Sequence, residues 1–309
     1  MKIVFFGTPE FAVPILEGLL ESSHNIVAVV TQPQKPRGRG MKVLPTPVAL
    51  KAKEKGVEVS EFMDVNSNAA LDYLRKLEAD LFIVVAYGQI LSDEFLAIPK
   101  LYSINVHASL LPKYRGAAPV QRAIIDGEKE TGITIMRIEQ KLDSGDIILQ
   151  KVTDILPCED ALSLFNRLSL LGKDVLVESL DLVEKGDVKF IKQDASKATY
   201  VPKLKKEDGL IDWSQSAKTI CNQVLGCKPW PSAYTNFEGK VLKIHKVKVI
   251  DNKSEMKPGA IIDTSNGEIQ VSCGTGIISI QSLQLEGKKI LSAVEFLRGK
   301  SLTEGTVLG

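Results

Sequence analysis

Short β-branched runs alternate with amphipathic stretches through the first half of the chain. Lys2 to Phe6, Asn25 to Thr31, Asp80 to Ala86 and Ser103 to His107 read as strands, each short, apolar at most positions and flanked by turn-forming residues. Between them Ala12, Ile15, Leu16 and Leu19 share one helical face, as do Leu71, Leu74 and Leu77. In "TPVALKAKEKG", Thr46 stands as N-cap, Pro47 at the first helical position and Gly56 as the stop. This alternation predicts a mostly parallel sheet covered by helices. Pro14 conflicts with the first helix, because an interior proline loses a hydrogen bond and clashes with the preceding turn. That helix is expected either to start late or to bend.

From Thr131 the pattern changes. "TGITIMRIEQKLDSGDIILQKV" is two β runs joined through "KLDSGD", a ribbon expected at the sheet edge. A long amphipathic helix should follow, with Leu162, Phe165, Leu168, Val175, Leu176, Leu180 and Val183 on its apolar side, Gly172 as a kink and Gly186 as its end. "QDASKATYVPKLKKEDGLIDWSQ" is polar and reads as a linker, with Lys203, Lys205 and Lys206 solvated. The alternating runs beyond it, closed by "SAVEFLRGK", suggest a small antiparallel barrel in which Trp213 and Trp230 serve as packing. The expected organisation is a Rossmann-like α/β domain over 1–189, a linker over 190–207 and an OB-like β-barrel domain over 208–309.

Composition narrows the functional classes. With 309 residues, 44% hydrophobic and a net charge of +1, the chain is large enough for two or three ordinary cores. The opening apolar run is too short for a signal peptide, and nothing later approaches a membrane span, so a cytoplasmic location is expected. Cys158, Cys221, Cys227 and Cys273 are scattered without ligand spacing, which predicts reduced thiols and no metal. From Val201 onward there are 15 Lys and Arg against 11 Asp and Glu, so the smaller domain is modestly basic. The segment "TQPQKPRGRGMKVLPTPV" is too long and too basic for a routine connection, and Lys35, Arg37, Arg39 and Lys42 suit an arm that contacts phosphates.

The first βα turn, "FFGTPEF", carries neither a dinucleotide fingerprint nor a P-loop. Candidate chemistry sits instead in "SINVHASLLPKYRG". Asn105 and His107 are two apart, so on a strand they share a face. An amide and an imidazole there could hold an oxygen that gains negative charge when a carbonyl is attacked, although the same pair could simply cap a strand end. "LDSGD" offers a carboxylate to orient the imidazole. Asp143, before Ser-Gly, can project from a tight turn, whereas Asp146 leads directly into a strand, so Asp143 is assigned. With no nucleophile elbow and no Cys/His pair, direct attack by a bound substrate amine is the simpler mechanism.

"NVHASLLPKYRGAAPVQRAI" together with "GITIMRIEQKLDSGDI" resembles the signature of the folate-dependent formyltransferases. The basic arm and "NQVLGCKPWPSAYT" extend the likeness, along the whole chain, to the members that act on initiator tRNA. The resemblance implies a catalytic triad of Asn105, His107 and Asp143, and a folate-binding segment at Ser109, Leu110, Leu111 and Pro112. It also implies tRNA contacts by the arm bearing Arg37, Arg39 and Lys42. The expected donor is 10-formyltetrahydrofolate, the acceptor is initiator methionyl-tRNA, and the protein is expected to be a monomer that uses no metal. Leu225 stands where many relatives carry arginine, which bears on any RNA contact there. Rival activities with the same triad are formyl transfer to an amino sugar nucleotide or glycinamide ribonucleotide, and formyltetrahydrofolate hydrolysis. An RNA-binding protein without catalysis is the alternative from another class.

Overall fold

The computed structural model describes residues 1–37, 42–250, 252–300 and 302–309, with the side chains of residues 35–37 and 42 left out. The chain divides into two compact units. The first comprises Met1–Gly116, Glu130–Asp154 and Phe165–Val201; the second comprises Ala117–Lys129, Ile155–Leu164 and Pro202–Gly309.

In chain order, β1 (Lys2–Gly7) leads to α1 (Ala12–Leu20), β2 (Asn25–Thr31), β3 (Lys35–Arg37), β4 (Lys42–Leu44), α2 (Pro47–Glu54) and β5 (Val59–Glu61). Then come α3 (Asn68–Lys76), β6 (Leu81–Val85), α4 (Asp93–Leu96), β7 (Tyr102–His107), β8 (Arg115–Gly116), α5 (Pro119–Ile125), β9 (Glu130–Arg137), β10 (Ile147–Asp154), α6 (Ala161–Lys185) and β11 (Tyr200–Val201). The main sheet has seven strands in the order β10-β9-β7-β6-β1-β2-β5. β1, β2, β5, β6 and β7 run parallel, and β9 and β10 form the antiparallel ribbon at the edge. β6 is buried at every position, which is why its sequence, "LFIVV", is continuously apolar rather than alternating.

Local chemistry fixes the helices. The Thr46 hydroxyl accepts the Ala49 N–H at 3.1 Å, capping α2 ahead of Pro47. α1 opens only two residues before Pro14, so the proline falls in the first turn, where its missing N–H would have had no intrahelical partner. α6 runs unbroken through Gly172. A Cβ at Gly172 would stand 3.0 Å from Ile15 and 3.4 Å from Val106, so this glycine serves close packing on α1 and β7 rather than a kink.

The second unit adds α7 (Ala217–Gly226), β12 (Ala233–Phe237), β13 (Lys240–Ile250), β14 (Ile261–Asp263), β15 (Ile269–Ser272), β16 (Ile277–Leu285), β17 (Leu291–Ser292) and α8 (Ala293–Gly299). Its antiparallel half-barrel is ordered β12-β13-β16-β15-β14, with β17 on β16. Ile220, Val224, Ile244, Val271, Ile278 and Phe296 are among the side chains filling its core, and Leu225 packs against them. Trp213 is buried, and its ring N–H donates to the Thr235 hydroxyl at 3.1 Å. Trp230 does not pack as expected. It is 56% exposed and lines a depression of about 320 Å³ with Ala117, Ala118, Gln121, Lys203 and Leu204.

Candidate active site

β7 ends at the carboxyl edge of the parallel strands, one strand from the point where β1 has β2 on one side and β6 on the other. Open α/β sheets bind ligands beside such switch points. Asn105 pairs in register with Val84 of β6 and Met136 of β9, and His107 with Thr134. The neighbouring strands thus hold both residues on one face at the strand's end. The half-buried Asn105 amide has no hydrogen-bond partner among the described residues. It is the donor left available to a ligand.

His107 is buried between two acceptors. Its Nε2 lies 2.9 Å from the Tyr114 carbonyl oxygen, and its Nδ1 lies 3.7 Å from Asp143 Oδ2. A carbonyl only accepts, so Nε2 carries a proton and donates. A neutral ring has one N–H, so with Nε2 donating to the carbonyl, Nδ1 is the nitrogen that faces the Asp143 carboxylate. Asp143 Oδ2 also accepts the Gly116 N–H at 2.7 Å, and Asp143 itself has a φ of 48°. Asp146, by contrast, enters this region through its backbone, its carbonyl accepting from Arg137 N at 3.0 Å.

The segment after His107 closes on itself. Ser109 is fully buried and donates its hydroxyl to the Lys113 carbonyl at 2.7 Å, so that side chain is already engaged. The Thr134 hydroxyl donates to the Ser109 carbonyl and accepts the Leu111 N–H, and the Gln150 amide reaches Leu111 O and Thr134 Oγ1. Leu111 is buried beside Met136 and Ile147, while Leu110 and Pro112 stay half-buried. A separate shallow depression of about 480 Å³, lined by Asp93, Leu96, Glu139, Gln140 and Lys141, holds none of the triad.

Sequence reasoning missed a second group of residues. The Tyr114 carbonyl meets His107 and the Gly116 N–H meets Asp143, while Gln193 and Tyr200 accept from the intervening Arg115 and Thr199 accepts from Tyr114. "PKYRG" was visible as part of a motif, but nothing in the polar segment around Gln193 distinguishes it from a solvated turn. In the arm, β3 pairs antiparallel with β4, Arg37 opposite Lys42. Arg39 lies outside the described residues, as do the side chains of Arg37 and Lys42. Among the described residues no cluster of His, Cys, Asp and Glu could hold a metal ion, and no helix is long and apolar enough to cross a membrane.

A parallel sheet edged by an antiparallel ribbon, with Asn105, His107 and Asp143 at its carboxyl edge, is followed in the chain by an antiparallel half-barrel. Residues 1–180 match the formyl transferase family and residues 203–301 its C-terminal domain, and the chain belongs to that family. Along its full length it is 48% identical to a methionyl-tRNA formyltransferase of Geobacter sulfurreducens, covering 97% of that protein. It is 43% identical to the enzyme of the same name from Agathobacter rectalis, with 99% of each chain covered. Among solved structures, the N-formyltransferase from Helicobacter canadensis, in complex with folinic acid and dTDP-3-aminofucose, superposes with a TM-score of 0.68. At 19% identity over 91% of this chain and 99% of that one, it shows the shared fold. HypX from Aquifex aeolicus in complex with tetrahydrofolic acid gives a TM-score of 0.62 at 18% identity. That match takes in 96% of this chain but 47% of HypX, so the chain spans about half of that protein.

Proposed function

We propose that this chain transfers the formyl group of 10-formyltetrahydrofolate to the α-amino group of the methionine carried by initiator methionyl-tRNA. Residues 1–189 carry the chemistry and residues 208–309 bind RNA. The observation that carries the chemistry is the pairing of an Asn105 amide without a partner among the described residues with a His107 ring between two acceptors, on one strand face. The acceptor is inferred from the full-length likeness to relatives that bear that name.

The residues present fit a formyl donor. A formyl oxygen needs a donor that is not already engaged, and the Asn105 amide is one. When bound, the folate supplies the activated formyl carbon, and Leu110 and Pro112 of the adjoining turn leave apolar surface for its ring system. Asn105 donates to the oxygen that becomes negative as the amine attacks, and His107 stands beside Asn105 on the same strand face. The His107 Nε2–H is shared with the Tyr114 carbonyl, so Asn105 is the less engaged donor of the two. Asp143 orients the ring and helps receive the amine proton, directly or through water, the bond from the formyl carbon to the donor's nitrogen breaking as the new amide forms and tetrahydrofolate leaves. In the second unit, exposed Trp230 beside Lys203 offers a stacking face next to a cation, which suits a base and its phosphate.

Kinetics test the assignment. Asn105→Ala and His107→Ala are each expected to lower kcat about 10²- to 10³-fold while moving either KM far less, as loss of an oxyanion-directed group does. Unchanged kcat with a raised KM for the folate would make the pair a binding feature instead.

A further inference from the structure

Arg115 is 4% exposed, yet three of its N–H groups go to neutral acceptors. Its Nε and Nη2 donate to Gln193 Oε1 at 3.1 and 2.8 Å, and its Nη1 donates to the Tyr200 hydroxyl at 3.1 Å, with the guanidinium 5.8 Å from the centre of that ring. A guanidinium is costly to bury, and such sites usually hold a carboxylate partner. Here the acceptor is an amide, and its other end explains the choice. The Gln193 NH₂ donates both hydrogens into the Asp143 loop, to Asp143 O at 2.9 Å and to Gly145 O at 2.8 Å. A carboxylate could satisfy Arg115 but could not donate to those carbonyls.

The same short segment reaches His107 as well. Tyr114, at a φ of 61°, presents its carbonyl to His107 Nε2, and Gly116 presents its N–H to Asp143 Oδ2. Behind it, Thr199 Oγ1 accepts the Tyr114 N–H at 2.8 Å, and the Thr199 carbonyl accepts the Arg115 N–H at 2.9 Å. β11 then pairs parallel with β8. Gly116, at a φ of 115°, has no room for a Cβ, which would stand 2.4 Å from the Val201 carbonyl. Gln193 and Thr199 both lie between the two stretches matched to the family, residues 1–180 and 203–301.

We propose that Gln193, buttressed by buried Arg115, is a positioning residue that sets the Asp143 loop against His107, so that the segment between the two family matches completes the active site. The proposal rests on the role given to Asp143 above. Gln193 touches no reacting atom. It holds the backbone on either side of Ser144, and so fixes where the Asp143 carboxylate stands relative to Nδ1.

The test compares Gln193→Glu, Asp143→Asn and the double variant by kcat, both KM values and melting temperature. Gln193→Glu gives Arg115 a countercharge, so melting should be preserved. It removes both donors to the loop and turns an oxygen on two carbonyl oxygens. A displaced catalytic group of this kind is expected to lower kcat at least about tenfold, with each KM within about twofold. Because Gln193 acts through Asp143, the double variant should be no slower than Asp143→Asn alone, a non-additivity that a purely structural role would not produce. Gln193→Leu, of similar volume and without polar atoms, is the second variant and should show the same kcat loss and the same non-additivity. An impaired Asp143→Asn beside unimpaired Gln193→Glu and Gln193→Leu, or multiplicative losses in the double variant, would overturn the proposal alone. Full turnover in Asp143→Asn would overturn the reading of the site, and this proposal with it.

Discussion

At the scale of single residues, the site is a matter of which polar atoms are already engaged. The Asn105 amide has no partner among the described residues, His107 donates from Nε2 to the Tyr114 carbonyl with its Nδ1 facing Asp143, and the Ser109 hydroxyl is engaged by Lys113. The choice between two aspartates follows from the same accounting. Asp143 faces the ring through its carboxylate and Asp146 meets Arg137 through its backbone carbonyl, so Asp143→Asn should lower kcat by at least about tenfold and Asp146→Asn by no more than about twofold. Steady-state turnover of the two variants checks this, and the reverse ranking would move the catalytic carboxylate to Asp146. Asn105 and His107 were legible because a spacing of two on a strand fixes a common face. Gln193 and Tyr200 were not, because their bonds to Arg115 span 78 and 85 residues of chain, and no local pattern encodes a contact that only folding creates.

Elements were read well where one residue type forces the geometry and less well where tertiary packing decides. The Thr46–Pro47 start of α2 and the β9–β10 ribbon stand as read. β5 and β8, of three and two residues, are too short to leave a periodic signal. Gly172 and Trp230 were misread for one reason: a glycine in a helix or a tryptophan in a barrel domain says nothing of whether another element covers it. The helix α5 is the clearest case. Its sequence follows the first-unit motif directly, yet it belongs to the second unit, where Arg122 Nη2 donates to Asp208 Oδ1 at 2.7 Å and Asp208 Oδ2 accepts the Lys205 N–H at 2.6 Å. Burial alone would raise the Asp208 pKa, but the Lys205 N–H and the Arg122 guanidinium outweigh it and leave the carboxyl below its usual 3.8. Folding therefore favours the charged form, and the resulting stability is present above about pH 4 and lost as pH falls through the lowered pKa. Asp208→Asn is expected to cost about 1.5 kcal/mol at neutral pH, the scale of a hydrogen bond to a charged group, and the cost should shrink below about pH 4. Urea unfolding over a pH series measures it, and a cost independent of pH would show that charge is not what Asp208 contributes.

At the scale of the whole molecule, the proposed transfer requires the site in the first unit to receive a macromolecular acceptor. A small acceptor would not need the basic arm. If Arg37 and Arg39 neutralise phosphates, Arg37→Ala and Arg39→Ala should each weaken tRNA binding and reduce the slope of log affinity against log salt by about one, leaving folate binding intact. Slopes equal to that of the unchanged protein would remove the arm from the RNA contact.

The central claim is the acceptor itself. The most direct measurement supplies the purified protein with 10-formyltetrahydrofolate and, in parallel, methionyl initiator tRNA, an amino sugar nucleotide or water alone, and follows formyl transfer by initial rate. Transfer to the methionine amine at a kcat/KM at least about a hundredfold above the sugar, with hydrolysis slower still, is the predicted result if the proposed contacts of tRNA with the site and the basic arm are made. Preferred formylation of the amino sugar, or donor hydrolysis that added tRNA does not divert, would contradict it.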